Sequence, residues 1–183
     1  MTDDVFVRHC APTLAGIKTG SLFSCAFPGD AAMRECVRRW NSLLREKRLR
    51  VLPLRGQNGR WLLYVYRPAR LSQDLLRPEV RRLLRECGYE TFAAEACLCD
   101  LGKRLRENGA FPHEIGLFLG YPPEDVRGFI ENGPRKAKYT GAWKVYEDVS
   151  AAKMQFENFQ NCTVSYCELL NQGKTIDRLT VAD

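Results

Sequence analysis

Leu49-Arg-Val-Leu-Pro-Leu-Arg55, Gly56-Gln-Asn-Gly-Arg60 and Trp61-Leu-Leu-Tyr-Val-Tyr66 follow one another without a gap. The first and third segments are apolar and rich in residues that suit a pleated strand. The segment between them carries Asn-Gly, the strongest short hairpin signal. Residues 49–67 are therefore expected to form an antiparallel hairpin. Trp61–Tyr66 is apolar at odd and even positions alike, so both faces of that strand should be covered.

Working outward, residues 31–48 read as an amphipathic helix. Met33, Cys36, Val37, Trp40, Leu43 and Leu44 recur at spacings of three and four, and Asp30 suits its N-cap. Before it, residues 5–25 are short apolar runs broken by Pro12, Gly16 and Gly20, which predict one or two strands. After the hairpin, Ser72 starts a short helix. Pro78 opens one that carries Val80, Leu83, Leu84 and Cys87 and stops at Gly88. Thr91 caps the next, which carries Phe92, Ala96, Leu98, Leu101 and Leu105 and closes at Gly109. Residues 112–132 form a helix-turn-helix, with Pro112 and Pro123 opening its arms, Val126, Phe129 and Ile130 facing inward, and Gly133 ending it. Ala142–Glu147 reads as a strand. Ser150 caps a long helix with the stripe Ala152, Phe156, Phe159, Thr163, Tyr166 and Leu170. Ile176, Leu179 and Val181 dock the tail. The expected fold class is α+β: a small, mostly antiparallel sheet from the N-terminal, hairpin and Trp143 segments, packed against helices, with a helical C-terminal half.

The chain's 183 residues suit one domain spanning 1–183, mainly sheet plus one helix to residue 70 and mainly helical beyond. No apolar tract reaches the ~18 residues of a membrane span. The start Met1-Thr2-Asp3-Asp4 has no apolar signal core. The expectation is a cytoplasmic protein without membrane insertion, whose eight cysteines are reduced and mostly core. The net charge of +6 is uneven, for residues 34–106 hold 18 Lys/Arg against 8 Asp/Glu. That basic middle suggests a polyanion or an acidic partner, with Arg34, Arg38, Arg45, Arg81 and Arg85 as its patch.

Several chemistries fail on spacing. His113-Glu114 is followed by Leu117 where a zinc protease needs its second His. Gly16-Ile-Lys-Thr-Gly-Ser21 lacks the phosphate-loop spacing, although Lys18 can still hold an anion. Cys97 and Cys99 lie about 200° apart on a helix, so they cannot share one metal. The second arm of the helix-turn-helix presents Glu124, Asp125 and Glu131 against Arg127 alone, a poor match for phosphate and base edges. Two histidines exist, His9 and His113. His113 in a first helical turn is suited to a neutral, ligating or proton-accepting role. Cys10 beside His9 is a candidate thiol nucleophile.

His9-Cys-Ala-Pro-Thr-Leu-Ala-Gly-Ile-Lys18, Phe111-Pro-His-Glu-Ile-Gly-Leu-Phe-Leu-Gly-Tyr-Pro122 with Glu124-Asp-Val126 and Gly128-Phe-Ile130, and Gly141-Ala-Trp-Lys-Val-Tyr146 together resemble a bacterial family of domains of unknown function. The resemblance covers essentially the whole chain. Ala142 and Glu147 depart from the Tyr and Gly of the family pattern. The family has no established activity. Occurrence of its members beside flavodoxin and iron-uptake genes would imply a redox or iron accessory role, with a redox or iron-handling partner. On the family blocks, Cys10, His113 and Glu114 are the central candidates, and His9, Thr13, Lys18, Tyr121, Lys144 and Tyr146 are ligand-binding candidates. No cofactor is specified. The functional expectation is a redox- or iron-related accessory protein that binds a metal, cofactor or small anionic ligand. A nucleic-acid or acidic-protein binding module and a thiol-dependent enzyme are the alternatives.

Overall fold

The computed structural model describes residues 3–107 and 111–183; the expected helix stop at Gly109 lies outside them. The chain runs α1 (Asp3–Leu14), β1 (Gly20–Ala26), α2 (Asp30–Leu44), β2 (Arg50–Gln57), β3 (Arg60–Tyr66), α3 (Pro68–Leu76), α4 (Pro78–Glu86) and α5 (Ala94–Arg106). It continues through α6 (Ile115–Phe118), α7 (Pro123–Asn132), β4 (Tyr139–Thr140), β5 (Lys144–Val145), α8 (Val149–Asn171) and α9 (Ile176–Leu179). The class is α+β, as expected. Two compact units form, one from Met1–Ala69 with Phe159–Asp183 and one from Arg70–Asn158. No helix among the described residues is long and apolar enough to cross a membrane.

The first unit holds an antiparallel sheet in the order β1-β3-β2. β3 is the middle strand, which explains its two apolar faces: Leu63, Tyr64 and Val65 are all fully buried. The hairpin turn is tighter than the five-residue loop expected. It is Asn58-Gly59, with φ of 50° and 72°, and two positive φ values match the twist of the flanking strands. Phe6, Val7, Cys10 and Leu14 of α1 pack with Met33, Val37, Trp40 and Leu44 of α2 and with Ile176 and Leu179 of α9. Each such side chain contributes about 1.5–3 kcal/mol when fully buried. Val181, expected to dock with them, is half exposed, and it is its backbone N–H that binds the Leu14 carbonyl.

The N-terminal segment is a correction. Residues 5–14 are helix, and only Gly20–Ala26 is strand. Phe6, Val7, Cys10, Ala11 and Leu14 in fact recur at helical spacing. Pro12 lies in the last turn, two residues before α1 ends at Leu14, so little helix remains for it to interrupt. The corner after α1 is closed by a residue that no motif flagged. Arg67 is buried, and its guanidinium donates to the carbonyls of Thr13 (2.8 Å), Leu14 (2.9 Å) and Val181 (2.8 Å) and to the Asp183 carboxylate (2.8 Å). Thr13 itself shares a buried hydroxyl bond with Ser21 (2.9 Å).

The second unit is helical around a small ribbon, β4–β5, with Tyr139 opposite Val145. The Trp143 segment therefore makes its own two-stranded sheet and does not join the hairpin sheet, and its strand is Lys144–Val145 alone. Several boundaries also move. α3 starts at Pro68, four residues before Ser72, and α5 starts at Ala94, three after Thr91. α6 is a four-residue turn that begins after His113, so it offers that ring no helix end. In α7 the inward positions are Asp125, Val126 and Gly128, while Ile130 is exposed. Asp148, not Ser150, caps α8, accepting the Ala151 N–H at 2.9 Å.

Candidate ligand-binding site

Asp125 organises the second unit. It is only 4% exposed, and its carboxylate accepts the indole N–H of Trp143 (2.7 Å) and the backbone N–H groups of Tyr146 (2.7 Å) and Glu147 (3.1 Å). A buried carboxylate left without donors would cost several kcal/mol. These three neutral donors satisfy it and fix β5 against α7. Gly128 makes the approach possible, since a Cβ there would overlap the Tyr146 ring. The Tyr146 hydroxyl then donates to the Gly133 carbonyl at 2.7 Å.

This scaffold frames a cavity of about 200 Å³. Ile115, Leu119, Val126, Phe129 and Trp143 supply apolar wall, and His113, Tyr121, Asp125 and Lys144 supply polar groups. Tyr121 stacks on Trp143 at 4.8 Å, and Trp143 meets Phe156 edge-on at 4.4 Å. The His113 ring lies edge-on to Phe129 at 4.7 Å. The Tyr121 hydroxyl donates to the Ala142 carbonyl at 3.3 Å, and burial pushes its phenol up to about 12, so it stays a neutral donor at physiological pH. Lys144 Nζ donates to the Thr140 hydroxyl at 3.0 Å. Among the lining groups, Lys144 brings an amine and His113 an imidazole.

Three of the residues singled out by sequence, His113, Tyr121 and Lys144, thus line one cavity, and Tyr146 braces it from behind. Asp125 and Trp143, which matter as much, were missed as site residues. Their signal lay in the family blocks, but Asp125 read as a favourable first-turn charge and Trp143 as a strand residue. Glu114 is turned elsewhere. It is buried, accepts the Tyr89 hydroxyl at 3.2 Å and lies 3.7 Å from Arg104, whose guanidinium covers the Tyr89 ring at 4.4 Å. Burial, and then the Glu114 charge, push the Tyr89 phenol well above its ordinary range. Tyr89, Arg104 and Glu114 form a packing cluster.

The first family block sits in the other unit. Cys10 is fully buried, and burial pushes its thiol far above the ordinary range, with Lys18 opposing and Cys25 adding to the shift. As positioned, it is a protonated core thiol. Burial pushes Lys18 down to about 8, and its ammonium lies over the Phe159 ring at 5.8 Å. His9 stacks on Phe23 at 5.3 Å. Thr13 is occupied with Ser21 and Arg67.

The basic residues also divide. Arg34, Arg38 and Arg45 are exposed at one helical spacing along α2 and its continuation, whereas Arg81 and Arg85 clasp the Phe92 ring of the second unit at 4.7 and 5.4 Å. Cys97 is buried and Cys99 exposed, on opposite sides of α5. Among the described residues no three His, Cys, Asp or Glu side chains are grouped to hold a metal ion.

No curated protein and no solved structure matches the chain. A family model does, over residues 6–180, and the chain accordingly belongs to the family described as "Protein of unknown function (DUF3793)".

Proposed function

We propose that the protein is a ligand-binding accessory domain whose second-unit cavity takes a small aromatic molecule bearing one carboxylate. One observation carries the reading: two separate family blocks, around 113–129 and 143–146, converge on an apolar, aromatic-walled cavity with the Lys144 amine and the His113 imidazole in its lining. The volume of about 200 Å³ lies below the ~300–1,000 Å³ of drug-sized pockets. It suits one or two fused rings. The ring would pack between Trp143 and Phe129, and the carboxylate would meet Lys144 at the rim. A ligand of roughly twelve non-hydrogen atoms at ~0.3 kcal/mol per atom binds at about millimolar Kd.

The test is a titration of the native chain with benzoate, phenylacetate, indole-3-carboxylate and uncharged indole, followed by NMR of the tryptophan side-chain N–H groups. The Trp143 resonance should shift with at least one acid, more strongly than with indole, while Trp40 and Trp61 stay still. Lys144→Gln should weaken the acid about tenfold and leave indole unchanged. If no acid moves Trp143 at ten millimolar, or if Lys144→Gln has no effect on the acid, the reading fails.

A further inference from the structure

The outer face of the hairpin carries a second concavity, far in character from the aromatic one. It has a volume of about 340 Å³ and is lined by Ser24, Arg55, Gln57, Asn58, Arg60 and Leu62. No carboxylate lines it. Among the described residues neither arginine has an ion pair. The Arg55 guanidinium donates to the Gln57 amide oxygen at 2.7 Å, and that of Arg60 to the Ser24 carbonyl at 3.4 Å.

The strand register explains why both arginines are there. On β2, Val51 and Pro53 pair with Val65 and Leu63, the buried core side of β3. Straight continuation would place Leu54 opposite Leu62 and turn Arg55 to the core side with Trp61. A β-bulge between Pro53 and Arg55 takes up one residue, so Arg55 pairs with Leu62 and Gln57 with Arg60. Ser24 pairs with Leu62 from the other strand. The bulge thus moves Arg55 to the opposite face of the sheet from Leu63 and Val65, on a row with Leu62 and Ser24 and one row from Arg60, at the turn end of a face that is buried farther along at Tyr64. Leu54, the extra residue, is itself buried. Bulges commonly re-aim a side chain beside a site. Here the side chain is a guanidinium, which stays charged at all physiological pH and matches phosphate oxygens in pairs. The Ser24 hydroxyl and the Asn58 amide add neutral donors, the latter on a turn residue held at φ 50°.

We propose that this face is a binding site for a phosphate-bearing small ligand, with Arg55 and Arg60 gripping its phosphate or pyrophosphate group. The concavity is shallow; five of its six lining residues carry polar groups, while most of the lining surface is apolar, so the two guanidinium groups would hold the anion at the rim and Leu62 with the side-chain stems would floor whatever the phosphate is attached to. This site is independent of the aromatic cavity.

The experiment uses the full chain and inorganic pyrophosphate in isothermal titration, at physiological and at threefold higher salt. Arg55→Gln and Arg60→Gln should each weaken binding about tenfold. Arg34→Gln, which removes the same charge from an exposed helix face, should leave it unchanged. Arg55→Lys should restore only part, because an ammonium lacks the fork. All of these positions are at the surface, and circular dichroism checks that each variant folds. ADP in place of pyrophosphate tells whether a nucleotide or the free anion is the better source; affinity equal to or above that of pyrophosphate supports the site in either form. Equal losses in Arg34→Gln and Arg55→Gln would reduce the effect to net charge and overturn the proposal. So would failure of pyrophosphate to bind, or binding of a single-stranded oligonucleotide alone, which would make the face a polymer track.

Discussion

Arg67 in the first unit and Asp125 in the second are buried ionic side chains used in opposite ways. In the first unit Arg67 spends its guanidinium on three backbone carbonyls and one carboxylate. It seals the corner after α1 against the tail. In the second unit Asp125 gathers an indole N–H and two backbone N–H groups. It holds Trp143 with one side facing open space, and a cavity results. A buried charge satisfied by backbone dipoles closes a structure when it pulls chain ends together. It frames an opening when it fixes a large flat side chain as a cavity wall.

The comparison breaks first at Arg67. Arg67→Met would take the guanidinium donor from the Val181 carbonyl, leave the Thr13 carbonyl with the Gly16 N–H alone (3.2 Å), and free Asp183. The expected loss is about 3–5 kcal/mol, read from urea unfolding, with Trp40 emission lost early. A loss under ~1 kcal/mol would mean that the clamp is decoration. Next comes Asp125→Asn, nearly isosteric, which turns one acceptor into a donor facing other donors. About 1–3 kcal/mol should be lost. Amide exchange should accelerate at Tyr146 and Glu147, and carboxylate binding in the cavity should disappear. Equal acceleration along β3 would show that the two ionic residues are not the separate anchors described.

The smallest effect sharpens the contrast within the first unit. The amine of Lys18 is pushed down to about 8, from an ordinary 10.5. Between about pH 8 and 10.5 the folded state has released this proton and the unfolded state still holds it. This residue's contribution to stability therefore rises with pH across that window and is unfavourable below it. Thiols act in the opposite direction, since burial pushes Cys25 and Cys97 up to about 11 and unfolded thiols ionise first above about pH 9. The difference between wild type and Lys18→Met isolates the amine. It should shift in favour of wild type from pH 8 to 10, and a flat difference would refute the assignment.

Sequence patterning read the hairpin, α2, α7 and α8 because their apolar spacing or turn residues admit one geometry. It misread residues 5–14, where a run of Val, Phe and Cys with Pro12 suits strand and helix alike until its partner surface is known. It brought His113, Tyr121 and Lys144 forward through the family blocks, but with Glu114, whose charge is consumed by Tyr89 and Arg104. Arg67 was invisible, because three of its four partners are carbonyls and backbone geometry leaves no mark in composition. Arg55 was equally hidden. Its outward placement depends on a one-residue bulge, which no alternation of apolar and polar residues announces.

The first unit is assembled from both extremes of the chain, and this has a consequence for the order in which it is made. As the polypeptide leaves the ribosome, residues 1–69 emerge first, yet their core lacks Ile176 and Leu179 and their Arg67 lacks the Val181 carbonyl. The stretch 70–158 forms its compact unit from one continuous segment, so its own contacts can begin to form before the tail is made. Of the two units, the one whose translation begins first is thus the last to be finished, and until then the α1 and α2 faces around Trp40 wait for the final 25 residues of the unit, Phe159–Asp183.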